Sequence, residues 1–334
     1  MQGALIAKLF STLRRYDVYV LIHSDTFLPG NLDVPLLRLL GKQVVRIWCG
    51  SDVRYWHAYE QEMRKLGMEK DVASFLESIR GKRFDRYLQK RDMVRIGERF
   101  ANLIYAQASY AQLFKRPYLR INLPMAVNEY VYNFPDRDVP LVVHAPSSKE
   151  RKGTRAILRA VDELHAEGLS FEFRIVQNCS NEQVRIALQE ADIVVDQLIS
   201  AIIGKLALEG MSCGCAVLGR YAPEYAPVPP GCPMIRVTEE TIKERLREVI
   251  VNRDLRRRLA VEGRQYVETY YDRRVFAKNM LAALESGPPP MHTTTPTFYR
   301  EYRPKPSLIL QETGDFFHDI FKSVSRMGVK PDSR

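Results

Sequence analysis

The chain has 334 residues, of which 46% are hydrophobic and 27% are charged, and it carries a formal net charge of +10. This composition is typical of globular proteins and excludes a disordered or fibrous chain, and the length allows two domains of roughly 100–200 residues each. The positive charge favours anionic partners such as phosphorylated substrates or acidic lipid. The sequence has no zinc-finger, RNA-recognition or basic-zipper signature, so we expect no nucleic-acid partner.

The sequence gives no sign of membrane insertion or secretion. The most apolar segment, residues 193–203, contains Asp196 and is shorter than the ~20 uncharged residues of a membrane-spanning helix. Lys8 follows the first apolar residues, whereas the charges of a secretory signal precede them. The five cysteines have no paired metal spacing, and we expect Cys213 and Cys215 to be reduced and structural. We therefore predict a cytoplasmic protein.

In the first half of the chain, helical patterns alternate with strand patterns. The predicted elements in chain order are a helix at 4–13, a strand at 17–22, a helix at 32–40, a strand at 43–48, helical segments between 55 and 100, and strands at 102–106 and 118–121. This alternation predicts parallel βαβ units with right-handed crossovers. Every residue from Val18 to Ile22 is apolar, so we expect helices on both faces of that strand and a covering element or partner at its edge.

A polar segment with two prolines, residues 133–140, separates this half from a second βα series. The predicted strands of the second series lie at 141–146, 171–176, 191–197, 216–218 and 234–237. The predicted helices lie at 154–166, 181–189, between Gly204 and Gly214, and at 239–251, 254–269 and 273–284. Both halves are therefore predicted to be α/β domains.

The most informative stretch runs from residue 204 to residue 219. It predicts a helix opened by Gly204 and stopped by Gly214, followed by a buried strand, and the apolar strand before it ends in Asp196–Gln197. Ligands bind at the carboxyl ends of such strands, and a helix N-terminus attracts anions. The carboxylate of Glu209 could accept both hydroxyl protons of a ribose diol; the alternative is a solvent-facing glutamate placed well against the helix dipole.

Several segments carry a resemblance to a known family. Residues 144–154, 191–197, 204–219 and 262–271 resemble the donor-binding domain of the retaining glycosyltransferases of family 4, and residues 27–33 and 50–54 resemble the acceptor-side domain of that family. The resemblance implies the GT-B fold, an α/β architecture in which two Rossmann-like domains face each other across a cleft. It also implies transfer of a sugar, with retention, from a nucleotide diphosphate sugar to a glycan, lipid or other acceptor, with no metal or other cofactor required.

The resemblance divides the chain into four regions. We expect a shortened acceptor-side domain at 1–135, a donor-binding domain at 136–270, a helix at 271–287 that packs back toward the first domain, and a Pro-rich linker with an amphipathic tail at 288–334. The first domain is expected to be incomplete, because the family's first strand and glycine-rich loop would precede the helix at 4–13.

The resemblance also assigns roles to individual residues. Lys152 takes the place of the lysine that holds the donor diphosphate, and Glu209 that of the glutamate that binds the ribose; these are the predicted catalytic residues. Considered alone, Lys152 could be one more charge in the run 149–152, and His23 a hydrogen-bonded loop histidine. The further donor-binding candidates are Ser147, Ser148, Gly153, Gly204 and Lys205, and the acceptor-side candidates are His23, Ser51 and Asp52.

Two positions depart from the family pattern. Ala201 stands where the first glutamate of a paired-glutamate motif is expected, and Cys49 stands where a histidine is common. The alternatives to an active transferase are a non-catalytic or partner-dependent relative that binds nucleotide-sugar, and another nucleotide-binding α/β enzyme such as an epimerase. The Gly-x-Gly-x-x-Gly turn that would indicate many enzymes of the second kind occurs nowhere in the chain.

The last segment begins with a glycine–proline stop at 287–290 and leads to a predicted amphipathic helix. Its apolar stripe contains Phe316, Phe317, Ile320 and Phe321, with basic residues beside it. Such a helix could lie on an anionic membrane surface, which would place the protein at the inner face of the membrane; the alternative is packing on its own chain. Association with another chain through the edge of the first sheet is a further expectation.

Overall fold

The computed structural model of the chain describes residues 2–24, 26–68, 86–134, 136–288 and 293–296. These residues form two compact units. The first contains the described residues up to Gly67, those from 86 to 121 and those from 287 onward, and the second contains Met68 and the described residues from 122 to 286. Each unit is built on a largely parallel sheet with helices, so the predicted α/β class is confirmed. The finer division into four regions stays a prediction.

The first unit contains a sheet whose outermost strand comes first in the chain. Its strands are β1 (Val18–Ile22), β2 (Gln43–Ile47), β3 (Leu103–Ala106), β4 (Tyr118–Arg120) and β10 (Thr293–Thr294). Its helices are α1 (Gln2–Thr12), α2 (Asp33–Leu39), α3 (Trp56–Lys65) and α4 (Tyr87–Phe100). The strand order is β1-β2-β3-β4-β10, in which the first four are parallel and β10 is antiparallel to β4.

Strand β1 has one covered face and one exposed face. Tyr19 and Leu21 are buried in the same core as Leu9 of α1, whereas Val20 and Ile22 are 38% and 57% exposed. The expectation that helices cover both faces of this strand is therefore wrong for the described residues. The reason is its position: within the described part of the sheet β1 pairs only with β2, and the short strand β10 at the start of the tail pairs at the opposite edge.

The second unit contains a sheet in which every pair of neighbouring strands is parallel. Its strands are β5 (Leu141–His144), β6 (Glu172–Ile175), β7 (Ile193–Val195), β8 (Ala216–Gly219) and β9 (Ile235–Arg236). Its helices are α5 (Lys149–Lys152), α6 (Thr154–Ala166), α7 (Asn181–Glu190), α8 (Lys205–Cys213), α9 (Ile242–Val251), α10 (Arg253–Tyr270) and α11 (Arg273–Ser286). The strand order is β6-β5-β7-β8-β9, the crossover order of a doubly wound sheet.

Both faces of this second sheet are buried at its three central strands, β5, β7 and β8. Val143 of β5 packs in one hydrophobic core, and Val142 beside it packs in another core with Ile157 of α6. Near-continuous apolar strands therefore arise because successive side chains enter different cores. Cys213 and Cys215 are buried free thiols within the first of these cores, as expected from their small, apolar character.

Helix α8 approaches the sheet closely because glycine faces the strands. A Cβ atom at Gly210 would lie 3.2 Å from Cγ2 of both Val194 in β7 and Val217 in β8, so a larger residue would push the helix away. Gly214 ends the helix in the left-handed region at φ 90°, and a Cβ there would also lie 2.9 Å from the Tyr132 ring. The predicted glycine stop is therefore confirmed.

Among the described residues, no helix has the length and apolar character of a transmembrane segment. Beyond residue 288 the structure describes only 293–296. The predicted amphipathic helix with Phe316, Phe317, Ile320 and Phe321 lies outside the described residues, and its membrane role stays a prediction.

Candidate functional site

The loops that follow β5, β7 and β8 lie at the same end of the second sheet, where the strands reach their carboxyl ends; we call this end the carboxyl edge. These strands are parallel neighbours, with Val143 paired to Val194 and Val195 paired to Leu218, so their carboxyl ends lie side by side. Ligands of α/β proteins bind at this kind of edge, where loop side chains and helix N-termini converge. The donor-binding candidates predicted from the sequence all follow β5 or β7.

A buried histidine ties this edge together. His144 ends β5, is fully buried, and has Nδ1 at 2.8 Å from the Val195 carbonyl oxygen and Nε2 at 2.9 Å from Thr154 Oγ1. Burial lowers the pKa of His144, so the ring is neutral near pH 7. The carbonyl fixes Nδ1 as the donor and leaves Nε2 to accept the hydroxyl proton of Thr154. The side chain therefore joins β5, β7 and the start of α6.

The loop between α5 and α6 depends on a glycine. Gly153 has φ 70°, in the left-handed region, and a Cβ there would lie 2.9 Å from Leu198 Cβ. The Leu198 amide donates to the Lys152 carbonyl oxygen at 3.2 Å, which joins this loop to the segment after β7. The backbone of Lys152 is therefore held beside the end of β7.

The Lys152 ammonium is held by two side chains that sequence analysis did not place in the site. Its Nζ lies 2.8 Å from Gln197 Oε1 and 3.3 Å from Asp196 Oδ1. The Gln197 amide nitrogen in turn donates to the Ile202 carbonyl oxygen at 2.9 Å, which orients the amide oxygen toward the lysine. The signal for both residues was present in the sequence, because they are the polar end of an otherwise apolar strand.

Asp196 and the N-terminus of α8 are in close contact. A Cβ atom at Gly204 would lie 2.1 Å from Asp196 Oδ2, so only glycine fits at this position. The same Oδ2 is buried and has no hydrogen-bond partner within the described part of the chain. No described side chain caps α8. Its first backbone N–H groups therefore remain available at this edge.

Glu209 lies one turn into α8 and is already engaged through one oxygen. Its Oε1 accepts a hydrogen bond from the Tyr130 hydroxyl at 2.8 Å and an ion pair from Lys205 Nζ at 2.9 Å. Burial, together with the hydrogen bond to this carboxylate, raises the pKa of Tyr130 well above its usual value. No hydrogen bond from the described residues reaches Oε2, so that oxygen keeps its acceptor capacity.

The remaining donor-side positions differ in exposure. Ser147 is exposed and Ser148 is half-buried, both between β5 and α5. Ala201, which stands where the family pattern has its first glutamate, is 1% exposed, and its carbonyl oxygen accepts from the Ala222 amide at 2.9 Å. A glutamate at 201 would therefore require a different packing of this segment.

The acceptor-side candidates of the first unit lie in loops after β1 and β2. His23 has φ 69° and its Nδ1 lies 3.2 Å from Ser24 Oγ, while Ser51 is exposed. Asp52 is buried and accepts from the Gly50 amide at 2.7 Å and from the Cys49 amide at 3.1 Å and 3.2 Å. Its carboxylate therefore closes its own turn.

A buried arginine stands beside these loops. Arg46 is fully buried, its guanidinium lies 4.0 Å from the centroid of the Trp48 ring, and its Nη2 donates to the His23 carbonyl oxygen at 3.0 Å. Burial lowers the pKa of Arg46 to about 10, although Asp33 and Asp52 act in the opposite direction. Arg46 is thus a buried cation that holds a loop of the first unit.

The architecture of the chain is similar to that of several solved structures. No family model and no curated protein sequence matches the chain. A solved sucrose-phosphate synthase from Thermosynechococcus elongatus is 13% identical, with a TM-score of 0.56 over 85% of this chain and 77% of its own. HepE from Anabaena, solved with UDP and glucose, is 15% identical, with a TM-score of 0.53 over 85% of this chain and 82% of its own. An alpha-glucosyltransferase solved with UDP-glucose and DNA is 11% identical, with a TM-score of 0.52 over 86% and 84%.

These neighbours are GT-B glycosyltransferases. The chain has the GT-B fold. At these identities the likeness establishes the fold, and membership of family 4 stays a prediction.

Within this GT-B fold, the edge of the second sheet offers three kinds of group to a ligand. Lys152 and Lys205 are cations, the N-terminus of α8 presents backbone N–H groups, and Glu209 is a carboxylate with one unengaged oxygen. Cations and helix N–H groups suit phosphate, and a carboxylate suits hydroxyl groups. In the described part of the chain, no group of three or more His, Cys, Asp or Glu side chains could hold a metal ion.

Proposed function

We propose that the chain is a glycosyltransferase that binds a nucleotide diphosphate sugar at the carboxyl edge of its second sheet. The observation that carries the proposal is the arrangement of Lys152, the α8 N-terminus and Glu209 at one edge of a GT-B fold. HepE and the alpha-glucosyltransferase have the same fold and were solved with UDP or UDP-glucose, which supports a donor of this class.

The proposed donor contacts follow from the chemistry of each group. Lys152 and the N–H groups at Gly204 and Lys205 bind the diphosphate, and Oε2 of Glu209 accepts a hydroxyl proton of the ribose. Positive groups at the diphosphate stabilise the charge that develops on it as the sugar departs. No general base is needed for that stabilisation, which fits transfer with retention to a glycan, lipid or other acceptor.

Calorimetric titration with UDP-glucose, GDP-glucose and ADP-glucose tests the donor site. For whichever of these donors the wild type binds, Glu209→Gln should weaken the affinity by about 1.5–3 kcal/mol, or roughly 10- to 150-fold. The affinity for the corresponding nucleoside should fall by the same factor. Glu172→Gln, at an exposed position of β6, is the matched control and should leave binding unchanged. Unchanged affinity in Glu209→Gln would contradict the assignment.

A test of Lys152 needs a paired control, because removal of its charge also leaves the buried Asp196 carboxylate without an ion-pair partner. Lys152→Gln leaves Asp196 without its ion-pair partner, so part of its effect is a loss of stability. The double variant Lys152→Gln/Asp196→Asn removes both charges. We expect this double variant to fold with nearly the stability of the wild type and to lose diphosphate affinity while keeping nucleoside affinity.

A second candidate function is binding without transfer. It is favoured by Ala201, whose buried position carries no carboxylate toward a donor sugar. Multiple turnovers of donor by the purified chain with a broad acceptor mixture would reject this candidate, and donor binding with no transfer would support it.

Three further proposals are tested separately. Cell fractionation tests the cytoplasmic location, vesicle co-sedimentation tests attachment to the inner membrane face through the tail, and sedimentation velocity tests association through the edge of β1.

A further inference from the structure

The cation–carboxylate pairs at the carboxyl edge of the second sheet differ in how firmly each acid is fixed. Lys205 is 54% exposed at its side chain and its partner Glu209 is 12% exposed, so this pair can rearrange around a ligand. Asp196, the partner of Lys152, is 1% exposed. Of the two acids, Asp196 is therefore the more deeply buried.

Asp196 is also fixed by its surroundings. Its amide donates to the Leu218 carbonyl oxygen at 2.9 Å, and its carboxylate lies against Gly204, as the 2.1 Å approach to a Cβ there shows. On the other side, a Cβ at Gly219 would lie 3.4 Å from Asp196 Cβ. A ligand in contact with Lys152 therefore lies close to a carboxylate that is packed between Gly204 and Gly219.

This charge is poorly compensated by hydrogen bonds. Oδ1 accepts from Lys152 Nζ at 3.3 Å, and no described residue donates to the buried Oδ2. A buried charge with few donors and little solvent is weakly screened, so its field extends to groups beside it. A phosphate oxygen in contact with Lys152 Nζ at about 3 Å would lie within about 6 Å of Asp196 Oδ1.

We infer that Asp196 makes this edge discriminate between a nucleotide-sugar and the free nucleoside diphosphate that remains after transfer. The inference rests on the proposed function, in which Lys152 contacts the diphosphate. In a nucleotide-sugar each phosphorus is esterified and carries one negative charge. In the free nucleoside diphosphate the terminal phosphate loses a second proton with a pKa of ~6, so it carries an additional negative charge above neutral pH.

Repulsion by Asp196 acts on that additional charge. Attraction by Lys152 and by the N–H groups of α8 acts on the same charge, and contacts with the sugar occur only in the ester. Removal of the Asp196 charge leaves these contacts in place, so they cancel when the ratio of the two affinities is compared between wild type and an Asp196 variant. Asp196 therefore shifts the ratio of the two affinities toward the donor ester and away from its more highly charged product, which favours release of the product.

The test is the ratio of two dissociation constants, measured by calorimetry at pH 8 for wild type and Asp196→Asn. The ligands are UDP and UDP-glucose, and the GDP and ADP pairs are used in the same way. Asparagine keeps the shape of the side chain and an oxygen that accepts from Lys152. We expect Asp196→Asn to strengthen binding of the nucleoside diphosphate relative to its glucose ester by about 100-fold, which is the effect that Coulomb's law gives for one unit charge at about 6 Å with an effective dielectric constant of about 20.

Controls separate this inference from the proposed function. Asp138→Asn makes the same substitution at a carboxylate that is 92% exposed and should leave the ratio unchanged. Asp196→Ser removes the same buried charge and should change the ratio in the same direction if the asparagine variant folds poorly. Binding of both ligands with an equal ratio in wild type and Asp196 variants overturns the inference alone. Binding of no nucleotide by wild type overturns the proposed function and this inference together.

Discussion

The carboxyl edges of the two sheets contain similar residue types and use them differently. In the first unit, the buried acids Asp33 and Asp52 accept hydrogen bonds from groups in their own loops, and Arg46 donates to a backbone carbonyl. In the second unit, Lys152 and Glu209 bind side chains on neighbouring segments. A carboxylate whose oxygens accept hydrogen bonds from backbone N–H groups fixes the conformation of its loop. A cation that is paired with a side chain at a strand end can instead exchange that side chain for a ligand.

Substitution of Gly204 should have the largest effect, because it joins structure and site in the second unit. A methyl group at Gly204 would lie 2.1 Å from Asp196 Oδ2, and the backbone or the carboxylate must move. We expect Gly204→Ala to lower the free energy of unfolding by about 3 kcal/mol in urea melts and to abolish nucleotide binding. The double variant Gly204→Ala/Asp196→Ala removes the clash and should recover most of the stability; equal loss in both variants would show that the contact is not the cause.

Asp33 provides the corresponding substitution in the first unit. Its oxygens accept from the Thr26 hydroxyl at 2.6 Å and the Phe27 amide at 3.0 Å, and the residue is fully buried. Asp33→Ala leaves the Phe27 amide unpaired and the Thr26 hydroxyl with only the Leu28 carbonyl oxygen, 3.1 Å away, and should lower the free energy of unfolding by about 1–3 kcal/mol. Nucleotide affinity should be unchanged, since this acid only shapes its loop. A large loss of nucleotide affinity with little loss of stability would reverse the comparison between the two edges.

His144 should give the stability of the second unit a pH dependence. Its folded-state pKa is lowered from 6.5 by burial, so below pH 6.5 the unfolded chain binds a proton that the folded chain resists. Stability should therefore be unaffected by this group above pH 6.5 and fall by at most about 1.4 kcal/mol per pH unit below it. His144→Gln should flatten the slope of unfolding free energy between pH 6.5 and 5.5. An unchanged slope in this variant, with His165→Gln as control, would show that the ring is not held neutral.

The smallest effect is expected on the exposed face of β1. Ile22 is 57% exposed and Leu21, beside it, is 6% exposed. Ile22→Thr should change the free energy of unfolding by no more than about 0.5 kcal/mol, whereas Leu21→Thr should be clearly destabilising. Thermal melts of both variants measure the difference. A large loss of stability for Ile22→Thr would indicate that another part of the chain or a second chain covers this face.

Periodicity and glycine placement predicted most of the fold. The helix after Gly204, its stop at Gly214 and the buried strands of the second unit all occur as expected, because local propensity and burial agree there. The prediction that helices cover both faces of β1 was wrong for one face. An outermost strand and a central strand can have the same apolar sequence pattern. Apolar pattern alone does not report how many neighbours a strand has.

The candidate site could be predicted only in part. The resemblance of their segments to a known family predicts Lys152 and Glu209 as site residues, but it assigns no role to Asp196, Gln197 or Tyr130. Tyr130 lies 79 residues before Glu209 in the chain, and only the fold brings its hydroxyl to the carboxylate. Contacts of this kind depend on loop geometry that a single sequence does not encode locally.

Hydrogen exchange of the full chain with and without a saturating nucleoside diphosphate tests the central claim most directly, since it locates the ligand without substitutions. The exchange of backbone amides reports local opening, which a bound ligand suppresses. We predict slower exchange in peptides covering 147–154 and 196–210 of the second unit, with no change at 23–33 of the first unit. Protection of 23–33 with none at 147–154 and 196–210 would contradict the assignment of the nucleotide site to the second sheet.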